Sequence, residues 1–192
     1  MLYLKYVTQE ASGMFTPRII NNKITKRIIS SIAILAILGL GFSALAGELK
    51  ASVSVSPVGD FEAEMNGFNG KAQAKGDGYS AEKFVIPWSS FSSGMGLRDK
   101  HTLKYVNADK YPNIEILSAI GKAGKGAAKV KMNNIEKIIK GSYSIKGSSL
   151  TAEFSIILSE FDIKDISFKG AGVKDEVKVK MTVPVLAEAK TK

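Results

Sequence analysis

Along most of this chain apolar and polar residues alternate with a period of two. "LKASVSV" places Leu49, Ala51, Val53 and Val55 on one face, and "DFEAEM" does so with Phe61, Ala63 and Met65. "EKFVIPW" sets Phe84, Ile86 and Trp88 together, followed after an interruption by "NIEILS" (Ile114, Ile116) and "AAKVKM" (Ala128, Val130, Met132). "IEKIIKGSYSI", "LTAEFSIIL" and "EVKVKMTVPV" continue the pattern through Ile135, Ile139, Tyr143 and Ile145, then Leu150 to Leu158, then Val177 to Val185. Alternation of this kind marks strands with one face in a core and one in water. The clusters "NGFNGK", "KGDGYS", "GKAGKGA", "KGSS" and "KGAG" read as turns between them. Many short strands with turn signals predict an all-β sandwich or barrel. One helix breaks the series: from Leu97 to Val106 the apolar spacing changes to a helical one, and Tyr111-Pro112 ends the segment.

The N-terminal region follows another rule. Lys23, Lys26 and Arg27 precede an uncharged apolar run, Ile28 to Ala46, that closes on Ala44-Leu45-Ala46. A basic start, an apolar middle and a small-x-small end predict a secretory signal peptide cleaved near Ala46, with an uncleaved anchor as the alternative. The basic region is long for such a signal, and Met14 would make a more ordinary start. The expected organisation is an extension over 1–46 and one domain over 47–192, exported to the periplasm or secreted. Five of the 27 basic and one of the 18 acidic residues precede Gly47, so the remaining domain carries a net charge of +5 rather than +9. That excess is spread among lysines interleaved with acids, which argues for solubility and against a nucleic-acid partner. The absence of cysteine excludes disulfides, thiol nucleophiles and a lipid-modified cysteine after the signal.

Candidate chemistry concentrates in "SSGMGLRDKH", which holds the domain's single arginine, Arg98, and single histidine, His101. A Ser-His-Asp site would need His101 as base with Ser92 or Ser93, yet no nucleophile-elbow sequence surrounds them. One histidine among scattered carboxylates shows no metal-ligand spacing. Gly94-Met95-Gly96 lacks the third glycine and the Lys-Ser/Thr of a phosphate loop. Arg98 suits a bidentate contact to a carboxylate or phosphate, or an internal brace to Asp99 or Asp109.

The stretch Phe84–Ser118 resembles the signature of the YceI-like family, G-M-x-x-R-D-x-H followed by Y-P-x-I. Gly94-Met95, Arg98-Asp99, His101-Thr102-Leu103 and Tyr111-Pro112-x-Ile114 fall on it in order. "GSYSIKGSSLTAEFSI" and "FKGAGVKDEVKVKMTV" resemble later segments of the family, and the likeness covers roughly Val58 to Val185. Two positions depart from it: "KASVSVSPVGDF" lacks the family's Tyr-x-x-Asp and His-Ser, and the turn reads Lys146-Gly147-Ser148-Ser149.

The resemblance implies an extended antiparallel lipocalin-like β-barrel with one short helix between strands. It implies a bound long-chain polyisoprenoid or isoprenoid quinone, no other cofactor, no metal and no catalysis. The candidate ligand-binding residues are Phe84, Ile86, Trp88, Phe91, Met95, Leu97, Arg98, Leu103, Ile114, Ile116, Phe154, Ile156 and Phe161. Met95 and Leu97 are expected to turn towards the barrel interior, with Arg98 and Asp99 bracing the corner. The expected partner is an isoprenoid lipid, with no stable membrane insertion after cleavage and room for a homodimer. A barrel with a solid core and a protein partner, and an enzyme using His101, are the competing readings.

Overall fold

In a computed structural model of the protein, the described residues are 46–168 and 170–186. They belong to one compact unit. The signal-peptide run lies outside them, save Ala46. The strands are β1 (Gly47–Val53), β2 (Val55–Ser56), β3 (Phe61–Phe68), β4 (Ala72–Lys75), β5 (Gly78–Ala81), β6 (Phe84–Pro87) and β7 (Phe91–Ser92). After the helix α1 (Gly96–Tyr105) come β8 (Asn113–Lys122), β9 (Lys125–Met132), β10 (Ile135–Lys146) and β11 (Ser149–Ile157). β12 (Ser167–Phe168), β13 (Ala171–Val173) and β14 (Glu176–Leu186) complete the chain.

Seven strands close a barrel, in the order β11-β10-β9-β8-β5-β4-β14 and back to β11. β14 makes the closure. One edge of it pairs antiparallel with β11 from Glu176 to Pro184. Its other edge takes β1 over Lys178–Thr182 and then β4 at Val185–Leu186. The β4–β14 pair is parallel, a departure from the antiparallel barrel that the family resemblance implies. β1 continues the sheet through β3 to β7, and β6 pairs with β8 beside β5. Hairpin ends at Gly76, Gly124 and Gly147 share one end of the barrel, here called upper; the lower end carries α1.

The tight turns follow from residues that accept positive φ. Ala123-Gly124 and Asn133-Asn134 both adopt it at two successive positions, which matches the twist of the hairpins β8–β9 and β9–β10. The β8 ladder slips between Ile116 and Ser118, a bulge at Leu117. One extra residue reverses the alternation. Ile114 and Ile116 therefore point inward above Asn113, while Ala119 takes the inner position beyond the bulge and Ile120 is left 70% exposed.

The core is the inner face of the barrel. Leu49, Met65, Ile86, Ile116, Val130, Met132, Val177, Val179, Met181 and Val183 are buried in it, and Phe84 stacks on Phe68 with ring planes 3° apart. The described residues bury no charged side chain and no Ser, Thr, Asn or Gln. The first predicted strand ends early: after Val53 the chain leaves the large sheet, and Val55 pairs with β13 in a small second sheet.

Candidate functional site

On β8, β9 and β10 three glycines occupy one cross-strand row, Gly121 opposite Gly126 and Gly126 opposite Gly141. Tyr79 on β5 and Phe154 on β11 flank the row. The next row towards the lower end reads Ala81, Ala119, Ala128, Ile139. Two adjacent rows made mostly of glycine and alanine leave the barrel wall thin: the Tyr143 ring and neighbouring backbone crowd the Cβ positions of the glycines, while the alanines leave open space. They form an apolar cavity of about 100 Å³, completed by Phe84, Ile116, Val130, Phe154 and Met181. The ring of Tyr143 closes part of the hollow: a Cβ on Gly121 would sit 2.7 Å from its Cε1. It meets Tyr79 edge to face at 5.6 Å between centroids.

A second apolar cavity of about 110 Å³ occupies the lower half, lined by Leu49, Ala63, Met65, Trp88, Phe91, Ile114, Met132, Ile156 and Val179, among others. Successive inward positions divide between the two spaces. Ile116, Val130, Phe154 and Met181 line the upper one, and Ile114, Met132, Ile156 and Val179 the lower. Residues two apart on a strand are about 6.6 Å apart along it, so the two cavities follow one another along the axis, with no lining residue in common. Apolar cavities of this kind, on the order of 150 Å³, stay dry and take small hydrocarbons. Trp88 lines the lower cavity, and its Nε1–H is buried without a hydrogen-bond partner.

The lower end opens beside α1. Phe61, Thr102, Ile166 and Val173 line both the lower cavity and a wider mouth of about 350 Å³. The helix is tied down at both ends. Asp99 accepts hydrogen bonds from the backbone N–H of Ser93 at 2.8 Å and from its hydroxyl, and the Tyr105 hydroxyl donates to the Ser167 carbonyl at 3.0 Å. Arg98 lies over the Phe61 ring, its Cζ 4.0 Å from the centroid, with Nη2 3.7 Å from the Met95 sulfur. A guanidinium on an aromatic face in a partly open site is a cation–π contact. It takes the place of the predicted ion pair with Asp99 or Asp109. His101 also lines the mouth.

The twelve apolar candidates thus fall into separate places. Phe84, Ile116 and Phe154 line the upper cavity, and Trp88, Phe91, Ile114 and Ile156 the lower. Ile86 and Phe161 are fully buried in packing, and Leu103 packs partly buried against the core. Met95 and Leu97 correct the sequence reading. They are 52% and 56% exposed at the mouth and do not point into the interior. The helix presents Val106, Leu103 and Thr102 inward, and Leu97 falls on the opposite side. Sequence reasoning missed the glycine and alanine rows, which make the upper cavity by what they lack.

The sequence matches the family model of the YceI-like domain over residues 43–185. No curated protein matches it. Among solved structures it is similar to BcnA of Burkholderia cenocepacia, at 17% identity and a TM-score of 0.57, over 71% of this chain and 94% of that one. It is also similar to a polyisoprenoid binding domain from Saccharophagus degradans, implicated in plant cell wall breakdown, at 12% identity and a TM-score of 0.54. That likeness covers 73% of this chain and 93% of the other. At these identities the likeness is one of fold.

Proposed function

We propose, for a chain that belongs to the YceI-like family, that the barrel interior binds the hydrocarbon chain of an isoprenoid lipid, polyisoprenoid or isoprenoid quinone, for carriage or storage outside the cytoplasm. The observation that carries this reading is the pair of end-to-end apolar cavities inside a barrel wall thinned by aligned glycines and alanines. A barrel built only for stability would fill the space left by Ala81, Ala119 and Ala128, since interiors pack without voids larger than a water molecule. The similarity to a polyisoprenoid binding domain supports the same class of ligand. The apolar run before Ala46 supports export.

The chemistry of the lining fits such a chain. Among the described residues no charge is buried along the axis, which suits a neutral hydrocarbon segment inside. A chain longer than either cavity passes between them when the side chains at the junction swing aside. Met132 and Met181, one on each side of it, are the unbranched, adaptable ones. At the lower end the unpaired Trp88 N–H is a donor for a ligand oxygen, and Thr102 and Arg98 stand at the mouth beyond it. None of these roles breaks a bond in the ligand; the reading is of a binding protein, not an enzyme.

A polyene fatty-acid probe tests it. The folded protein takes up the probe in about one-to-one ratio, long-chain isoprenoids displace it, and Phe154→Trp and Ile116→Trp weaken uptake. A folded protein that excludes the probe has a solid core, and the proposal falls.

A further inference from the structure

Nine large apolar residues are exposed among the described residues, and four of them, Val58, Met95, Leu97 and Tyr105, line the mouth beside α1. That concentration is not the scatter expected of surface hydrophobes. The outer side of α1 adds charge. Lys100 and Lys104 follow Leu97 by one and two turns and are exposed on the same side of the helix, and Arg98 lines the mouth. Of the nearby acids, Asp99 is turned into its hydrogen bonds with Ser93, and Asp60 is on the facing turn.

We infer that this mouth is a docking surface for an anionic lipid bilayer, with Met95, Leu97 and Val58 inserted at the headgroup boundary and Lys100, Lys104 and Arg98 facing lipid phosphates. A short helix that combines exposed apolar side chains with lysines suits the plane of such an interface. Each lysine or arginine near an anionic surface adds to the attraction, which falls off within a Debye length. The purpose of the contact rests on the lipid-binding reading: the docked mouth adjoins the lower cavity through Phe61, Thr102, Ile166 and Val173. A lipid moving between bilayer and barrel would then cross no water. The geometry of the patch stands independently of that reading.

The chain has no cysteine, so one introduced thiol is unique. An environment-sensitive dye is attached at Leu97→Cys, at Val58→Cys, and, as a control, at Ile138→Cys, exposed on the outer face of β10. The full chain is mixed with phosphatidylcholine vesicles with and without phosphatidylglycerol. The dyes at 97 and 58 should shift to the blue on the anionic vesicles and be quenched by brominated acyl chains, while the dye at 138 should not respond. High salt, or Lys100→Glu with Lys104→Glu, should lower the apparent affinity about tenfold or more. No response at 97, or an equal response at 138, overturns the inference. A blue shift at 97 that needs no vesicles and grows with protein concentration assigns the patch to a second copy of the chain instead, and also overturns it. Polyene uptake measured on the same labelled proteins reports separately on the lipid-binding reading.

Discussion

Replacing Ala128 by leucine separates a hollow barrel from a filled one. Ala128 sits between Ala119 on β8 and Ile139 on β10 and lines the upper cavity of about 100 Å³. Leucine adds three carbons beyond Cβ. At about 0.8 kcal/mol per buried methylene, filling existing space contributes at most about 2.4 kcal/mol to the lipid-free protein. Where no space exists, the same addition costs about 1–3 kcal/mol in strain. The two cases differ in sign. The account therefore predicts that lipid-free Ala128→Leu is as stable as the parent or up to about 2 kcal/mol more stable, a rise of a few degrees in Tm. The same variant should take up polyene about tenfold less tightly, because the added carbons occupy the chain's place, and tenfold is about 1.4 kcal/mol. Unfolding is followed by the fluorescence of Trp88, the chain's single tryptophan, packed against Phe91 at the lower cavity. Loss of more than about 1 kcal/mol together with unchanged uptake would refute the reasoning, since it means Ala128 already faces a full core.

Three further outcomes follow from the same geometry. Gly141→Ala should destabilise by about 1–3 kcal/mol, read from the denaturant midpoint, because its Cβ would run into the Glu153 carbonyl oxygen, and backbone must move. Asp99→Ala leaves the Ser93 N–H and hydroxyl unpaired at the foot of α1. It should cost about 1–3 kcal/mol, the range for leaving a polar group unpaired, with Asp99→Asn losing less. Glu115 is hydrogen-bonded to Lys83 at 2.6 Å with Lys131 at 3.8 Å, and the Lys83 contact holds its carboxyl below the ordinary carboxylate range despite partial burial. A lowered folded value means the stabilisation is present above the unfolded value and is lost as pH falls through the folded one. Glu115→Gln should thus be less stable at neutral pH by under about 1 kcal/mol, since water screens the exposed Lys83, and the gap should close on acidification.

The strands were legible wherever alternation ran unbroken, as in β11 and β14, because a half-buried strand repeats every two residues. The helix was legible from its spacing and from Pro112. Beyond that, single residues defeated the pattern. The bulge at Leu117 reverses the face of β8 without any mark in "NIEILSAIGK", and so Ile120 faces water. "GKAGKGA" reads as a turn, yet only Ala123-Gly124 turns the chain. Gly121 and Gly126 are strand interior, placed where a Cβ would meet Tyr143 or the Ile120 carbonyl. The site was harder still. Large apolar residues mark a wall, but a cavity is defined by small ones, and glycine in a sequence signals a bend before it signals a space. Met95 and Leu97 went astray for a related reason: apolar character does not by itself decide which side of a helix faces the core.

The central claim is that the barrel holds an isoprenoid chain. The most direct test is organic extraction of the natively purified protein followed by mass spectrometry of the extract. The account predicts a long-chain isoprenoid near one per protein molecule, reduced in Ala128→Leu. A folded protein that yields no such lipid, with the same Trp88 emission before and after extraction, would contradict it.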